Sequence, residues 1–299
     1  MERYLGPVIA FLLACADPAP VDIAWPEDGC ASVHVPAFGS AGPVVPEEFR
    51  IQHDGDELRV RVLRPAGSSC WPALVLVPPG FAEGLPQLDE PTANSLAAAG
   101  LVVVAFDPSG RGMSSGEEDY GGPVQQDDLA AVLAWTASLE VVDPARVAVV
   151  SRSLGIAMAA GALARHDVAP FGLVDIEGPA VLPDNLDYAP EQARETLESV
   201  SEGSEWWAER SPHLNLGAHD GLYRRIQALE DHALGSFLGH AQALLNTAVD
   251  SAAGTDLNGL ERDYWTYDDV EADALDGRVK HDDRRALDLV LSLYDEQGA

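Results

Sequence analysis

The stretch Val147-Ala-Val-Val-Ser-Arg-Ser-Leu-Gly155 constrains this chain more than any other. An apolar β-branched run breaks there into two serines and a glycine and passes at once into the alanine-rich segment Ile156 to Arg165. β-Branched residues favour a pleated sheet and alanine favours a helix, so the pattern reads as strand, sharp turn and helix, with Ser153 at the apex. A turn that tight works only if the residues two before and two after the apex are small. Ser151 and Gly155 meet that demand, with serine standing where glycine is usual. A serine lifted clear of a sheet in this way is a candidate nucleophile, although five residues alone equally suit a β–α loop that contains two serines.

With 299 residues, 46% of them hydrophobic, the chain can build one large α/β domain or two small ones. The net charge is −31, and Lys280 is the one lysine among 18 basic residues, so the surface is overwhelmingly carboxylate. That excludes nucleic acid as a partner. No Gly-x-Gly-x-x-Gly opens a helix after the first strand, no Walker loop is present, and the histidines do not fall at metal-ligand spacing, so neither a cofactor nor a metal is expected.

Near the N-terminus Arg3 precedes an apolar stretch from Leu5 to Ala14, then Cys15 and a Pro/Asp-rich continuation. The stretch is too short to span a bilayer and reads as a targeting segment. Leu12-Leu13-Ala14-Cys15 resembles a bacterial lipoprotein signal, which implies lipidation of Cys15, export and a lipid anchor on the bacterial membrane, at its periplasmic face or the cell surface. An ordinary signal peptide or a buried first helix are the other readings. Export places Cys30 and Cys70 in an oxidising compartment, where they can form a disulfide; two buried thiols are the alternative, since spacing says nothing of geometry. Residues 1–15 are thus the signal, 16–46 a tether with an irregular lead-in, and 47–299 the folded domain.

Phe49 to Gln52 and Leu58 to Leu63 alternate around His53-Asp54-Gly55-Asp56, a hairpin signal. Trp71 to Gly80 and Leu101 to Phe106 are continuous apolar runs, as for strands buried on both faces of a parallel sheet. Helices are expected at Asn94 to Ala99, Gln126 to Ser138, Ile156 to Arg165, Pro190 to Val200, Gly239 to Ala248 and Ala286 to Tyr294. Further strands are expected at Pro170 to Pro179, from Leu222, and at Asp263 to Tyr267. The alternation of strand and helix points to an α/β fold. The carboxylates Asp175 and Glu177 share one side of an extended chain and read as loop-capping or arginine-holding groups. The acidic run Asp268 to Asp276 lacks the spacing of a calcium loop and reads as a solvated loop.

Asp107-Pro-Ser-Gly-Arg-Gly-Met-Ser-Ser-Gly116 resembles the Asp-x-x-Gly-x-Gly-x-Ser loop of α/β-hydrolases, and its separation from Ser153 matches that fold's strand order. The resemblance implies an α/β-hydrolase fold, a mostly parallel sheet flanked by helices, with a small helical cap at about 180–218 between strands six and seven. Trp206-Trp207-Ala208-Glu209-Arg210-Ser211-Pro212 is similar to the cap exit of peptidase-like and cocaine-esterase-like members. There the two tryptophans pack the cap on the core or line an acyl pocket. It further implies a triad in the chain order Ser153, Asp231, His281, with Glu230 the rival acid one residue earlier. His232 and His240 do not stand where the family keeps its base. The oxyanion hole would comprise the amides of Leu154 and Phe81, with Ala82 the alternative to Phe81. The expected activity is hydrolysis of a small carboxylic ester or a short peptide through an acyl-enzyme. A non-catalytic binding or scaffold lipoprotein is the rival, and the oligomeric state is not encoded in any motif.

Overall fold

A computed structural model describes residues 43–67, 70–180, 183, 186–228, 239–250, 274–275 and 294. The chain opens with β1 (Val44–His53) and β2 (Asp56–Pro65), an antiparallel hairpin in which His53 pairs with Asp56. Its two-residue turn is Asp54-Gly55, at φ 49° and 92°. Both positive angles suit the right-handed twist of the flanking strands. Strands and helices then alternate: β3 (Trp71–Val77), α1 (Pro91–Ala99), β4 (Val102–Asp107), α2 (Pro123–Ala137), β5 (Val142–Arg152), α3 (Gly155–Arg165) and β6 (Gly172–Ile176). An insertion carries α4 (Glu191–Val200), α5 (Ser204–Glu209) and α6 (Pro212–Asn215), after which come β7 (Leu222–Ala228), α7 (Gly239–Asp250) and β8 (Ala274–Leu275).

Among the described residues the strands form one sheet in the order β1-β2-β4-β3-β5-β6-β7-β8, parallel from β4 onward. The continuous apolar runs supply both faces of it. Ala73, Val75 and Val77 pack with Leu129, Leu133 and Ile156 in one core, while Leu74 and Leu76 pack with Leu96, Leu101 and Val103 in the other. Each fully buried Val, Leu or Ile side chain among them stabilises the fold by about 1.5–3 kcal/mol. Tyr294 belongs to the second core, and its hydroxyl donates to the Ala73 carbonyl at 2.8 Å.

The sheet order locates a site. From β3 the chain turns to β4 on one side and then crosses to β5 on the other side of β3, so the loops leaving β3 and β5 diverge and open a crevice at their carboxyl ends. Val77 at the end of β3 lies opposite Ser151 near the end of β5.

The structure departs from the sequence expectations at several ends. Helices α1 and α2 begin three residues earlier than expected, each with proline in its first turn, where the missing N–H and fixed φ are favourable. The strand beside β7 includes Ala274-Leu275, inside the run read as a solvated acidic loop; Asp263 to Tyr267, read as the eighth strand, lies outside the described residues. Cys70 is disulfide-bonded, which removes the buried-thiol reading for that residue; Cys15 and Cys30 lie outside the described residues.

Candidate active site

The run from β5 into α3 forms the expected sharp turn. Ser153 sits at φ 53°, a left-handed conformation that non-glycine residues rarely adopt. Its amide donates to the Ile176 carbonyl at 2.8 Å, tying the turn to the end of β6. Leu154 is the N-cap of α3, and its amide donates to no carbonyl among the described residues. Gly155 explains why nothing larger fits two residues on: a Cβ there would lie 2.7 Å from the Pro78 carbonyl oxygen and 3.2 Å from that of Val77. Ser151 is fully buried, and its hydroxyl makes no hydrogen bond among the described residues. Its merit at that position is size rather than polarity. Strain of this kind persists where the surrounding structure over-determines it, characteristically at functional sites.

The loop leaving β3 abuts this turn through Pro78. Ala82 donates its amide to the Pro79 carbonyl at 3.0 Å, closing a tight turn in which Gly80 has φ 53°. Ala82 is therefore occupied, whereas the Phe81 amide makes no backbone hydrogen bond among the described residues. The Asp107 to Gly116 segment stands behind this loop. The Asp107 carboxylate accepts from the amides of Gly84 and Leu85 on one oxygen and of Met113 on the other, at 2.8–3.0 Å. Arg111, only 4% exposed, donates to both oxygens of Glu118 and to the Gly80 carbonyl. Asp128 accepts from the Ser109 amide and hydroxyl, and burial pushes its carboxyl up to about 7.

On the other flank, Asp175 of β6 is fully buried, accepting from Arg225 and from the Tyr223 hydroxyl at 2.9 Å. Burial pushes its carboxyl above the usual range, with Arg225 the largest opposing pull. Its role is thus the expected holding of an arginine. Glu177 lies beyond the strand at φ 52° and does not share an extended face with it. Arg152 forms an ion pair with Glu90 at 3.8 Å. The insertion is clamped to the segment ahead of α2 by Arg210, which is buried, donates to Asp119, and stacks 3.9 Å over the Trp206 ring. Trp206 and Trp207 meet edge to face at 4.7 Å.

Asp231, Glu230, His232 and His281 lie outside the described residues. Sequence reasoning missed the Arg111–Glu118–Gln125 and Arg210–Asp119 clusters. The available signal was Arg111 in a glycine-rich turn and Arg210 just after the Trp206-Trp207 pair, since a buried guanidinium requires several acceptors. Among the described residues no group of His, Cys, Asp and Glu is placed to hold a metal ion.

Residues 54–171 match the family described as X-Pro dipeptidyl-peptidase (S15 family). No curated protein matches the chain. Similar solved structures include a Mycobacterium tuberculosis puromycin-hydrolyzing peptidase, 16% identical with a TM-score of 0.66, covering 85% of this chain and 39% of that one. A puromycin hydrolase is 19% identical with a TM-score of 0.63 and the same coverage. A Pyrococcus horikoshii acylaminoacyl peptidase is 16% identical with a TM-score of 0.57, covering 70% of this chain and 36% of that one. The chain thus spans well under half the length of these structures, and at such identity the likeness is one of fold. The sheet order, the turn at Ser153 and these likenesses together make the chain an α/β-hydrolase-fold protein, similar over residues 54–171 to the X-Pro dipeptidyl-peptidase (S15) family.

Proposed function

We propose that the chain is an exported serine hydrolase that cleaves a carboxylic ester or the amide bond of a short peptide through an acyl-enzyme on Ser153. The observation that carries the proposal is the left-handed Ser153 at the switch point of the sheet, with Gly155 leaving no room for a side chain beside Pro78. A serine hydroxyl is a weak nucleophile at neutral pH, so a base must take its proton as it attacks. His281 takes that role, and Asp231, with Glu230 one residue away, holds the imidazole and stabilises its charge. The oxygen of the attacked carbonyl becomes negative and is met by the amides of Leu154 and Phe81. His281 then gives its proton to the leaving alkoxide or amine, the scissile bond breaks, and the acyl group stays on Ser153. A water deprotonated by the same histidine attacks the acyl-enzyme, releasing the acid and restoring the serine.

The similarity to X-Pro dipeptidyl-peptidases and the peptidases among the similar structures support amide substrates beside esters. A panel of p-nitrophenyl esters of increasing chain length and of aminoacyl and prolyl anilides tests the reading. Turnover of at least one class is expected, and it should vanish in Ser153→Ala and His281→Ala. A folded wild type that turns over nothing would favour a binding or scaffold protein. Lipidation of Cys15 completes the proposal, holding the protein on the bacterial membrane. Metabolic labelling with a fatty-acid analogue should mark the wild type and not Cys15→Ser; a Cys15→Ser protein that still partitions into membranes contradicts it.

A further inference from the structure

We propose that Arg111 is a positioning residue for the oxyanion loop: by gripping the Gly80 carbonyl it aims the Phe81 amide at the reacting carbonyl oxygen. This rests on the serine-hydrolase reading above. The Gly80 C=O and the Phe81 N–H are the two ends of one planar trans peptide, so they point in opposite directions, and fixing one fixes the other. That peptide is the middle one of the turn closed by the Ala82 amide on the Pro79 carbonyl at 3.0 Å. Tight turns come in pairs of types that differ by a flip of the middle peptide, and the closing bond is the same in both. With Gly80 at φ 53° and Phe81 at negative φ, the flipped turn would need positive φ at Phe81, so the Phe81 side chain already disfavours it. Gly80, at φ 53° with open space where a Cβ would stand, imposes no steric choice on it.

Arg111 reinforces that preference and fixes the peptide plane. Its Nη1 donates to the Gly80 oxygen at 2.9 Å and approaches that of Ala82 at 3.5 Å. The guanidinium plane is itself fixed, with Nε and Nη2 on the two Glu118 oxygens at 2.7 and 2.8 Å and Nη2 on Gln125 Oε1 at 3.0 Å. Gln125 is anchored in turn by donating to the Ser109 carbonyl at 2.8 Å. A bidentate, charge-assisted pair sets geometry as well as energy. In the flipped turn the Gly80 oxygen would leave the guanidinium and face the developing oxyanion, so the positive charge opposes the one arrangement that would repel the transition state. The Phe81 ring is steadied from the same segment, meeting Tyr120 edge to face at 5.3 Å.

The test compares full-length wild type with Arg111→Met, Arg111→Lys and Glu118→Gln. It reads p-nitrophenyl ester kinetics per labelled Ser153, affinity for a trifluoromethyl ketone that forms a tetrahedral adduct, and fluorophosphonate labelling. Arg111→Met should lose ten- to hundredfold in kcat with KM within twofold, and lose ketone affinity by the same factor, while labelling still reaches completion. Arg111→Lys, which keeps a charged donor, should recover part of both losses. Glu118→Gln keeps the arginine and loosens its anchor, and serves if Arg111→Met does not fold; it should show a smaller parallel loss. A folded Arg111→Met or Glu118→Gln protein with unchanged ketone affinity overturns the inference, whatever its melting temperature. A wild type that the fluorophosphonate does not label overturns the hydrolase reading instead.

Discussion

Asp128→Asn is expected to make the protein more stable in mildly alkaline solution relative to the wild type, and the size of the gain follows from the site. The Asp128 carboxyl is 2% exposed and accepts from the Ser109 amide at 2.7 Å and hydroxyl at 3.0 Å. Those bonds favour its ionised form, but desolvation outweighs them, Asp56 and Asp127 add repulsion, and the carboxyl rises from 3.8 to about 7. The folded state thus holds a proton that the unfolded state releases. That contribution to stability is complete below about pH 3.8 and is lost as the pH rises through 7. At about 1.4 kcal/mol per pH unit, the part lost between pH 5 and pH 9 spans two units, about 3 kcal/mol. Asparagine fits the same place, its carbonyl accepting the Ser109 amide and its amide donating to the Ser109 hydroxyl, and it does not titrate. Urea unfolding of both proteins at unit steps from pH 5 to pH 9 measures the difference. The stability of Asp128→Asn relative to wild type should climb by about 3 kcal/mol over that range. Parallel curves would refute the reasoning and place the Asp128 proton elsewhere.

Gly155→Ala places a Cβ 2.7 Å from the Pro78 carbonyl oxygen; since backbone must move, a stability loss of about 1–3 kcal/mol and a sharp fall in ester turnover are expected from parallel melts and kinetics. Arg225→Met leaves the fully buried Asp175 carboxylate without its cation, which should cost about 3–5 kcal/mol in urea unfolding; Asp175→Asn in the same protein should recover part of it. Ser151→Ala removes a buried hydroxyl with no partner among the described residues, so its unfolding free energy should equal or slightly exceed that of the wild type. On the proposal that His281 is the base, it must be neutral to accept a proton, so ester turnover should fall as the solution is acidified through the range where histidine protonates, and a flat profile would count against that proposal.

The fold was legible where a local pattern had one physical outcome. The run from Val147 to Gly155 read as a strand meeting a helix, and the small residues on either side of Ser153 favoured the tight turn over a plain β–α loop; the left-handed serine bears out the turn. The Asp54-Gly55 hairpin was equally readable, because few dipeptides accept positive φ twice. Helix starts at Pro91 and Pro123 were missed because proline reads as a breaker, while at the first turn it is welcome. Asp175 was readable as an arginine-holding group, but not its partner Arg225, and the pairs Arg111 with Glu118 and Arg210 with Asp119 are made by the fold and carry no periodic signal. The sequence already favoured Phe81 over Ala82 as the oxyanion donor, and the bond from the Ala82 amide to the Pro79 carbonyl agrees with that preference.

The central claim is that Ser153 is a nucleophile, and its reaction with a fluorophosphonate, read by intact mass and by mapping the modified peptide, tests that claim most directly. One adduct per chain, located on Ser153 and abolished in Ser153→Ala, is the expected result. An unmodified folded wild type, or an adduct that survives in Ser153→Ala, would contradict it.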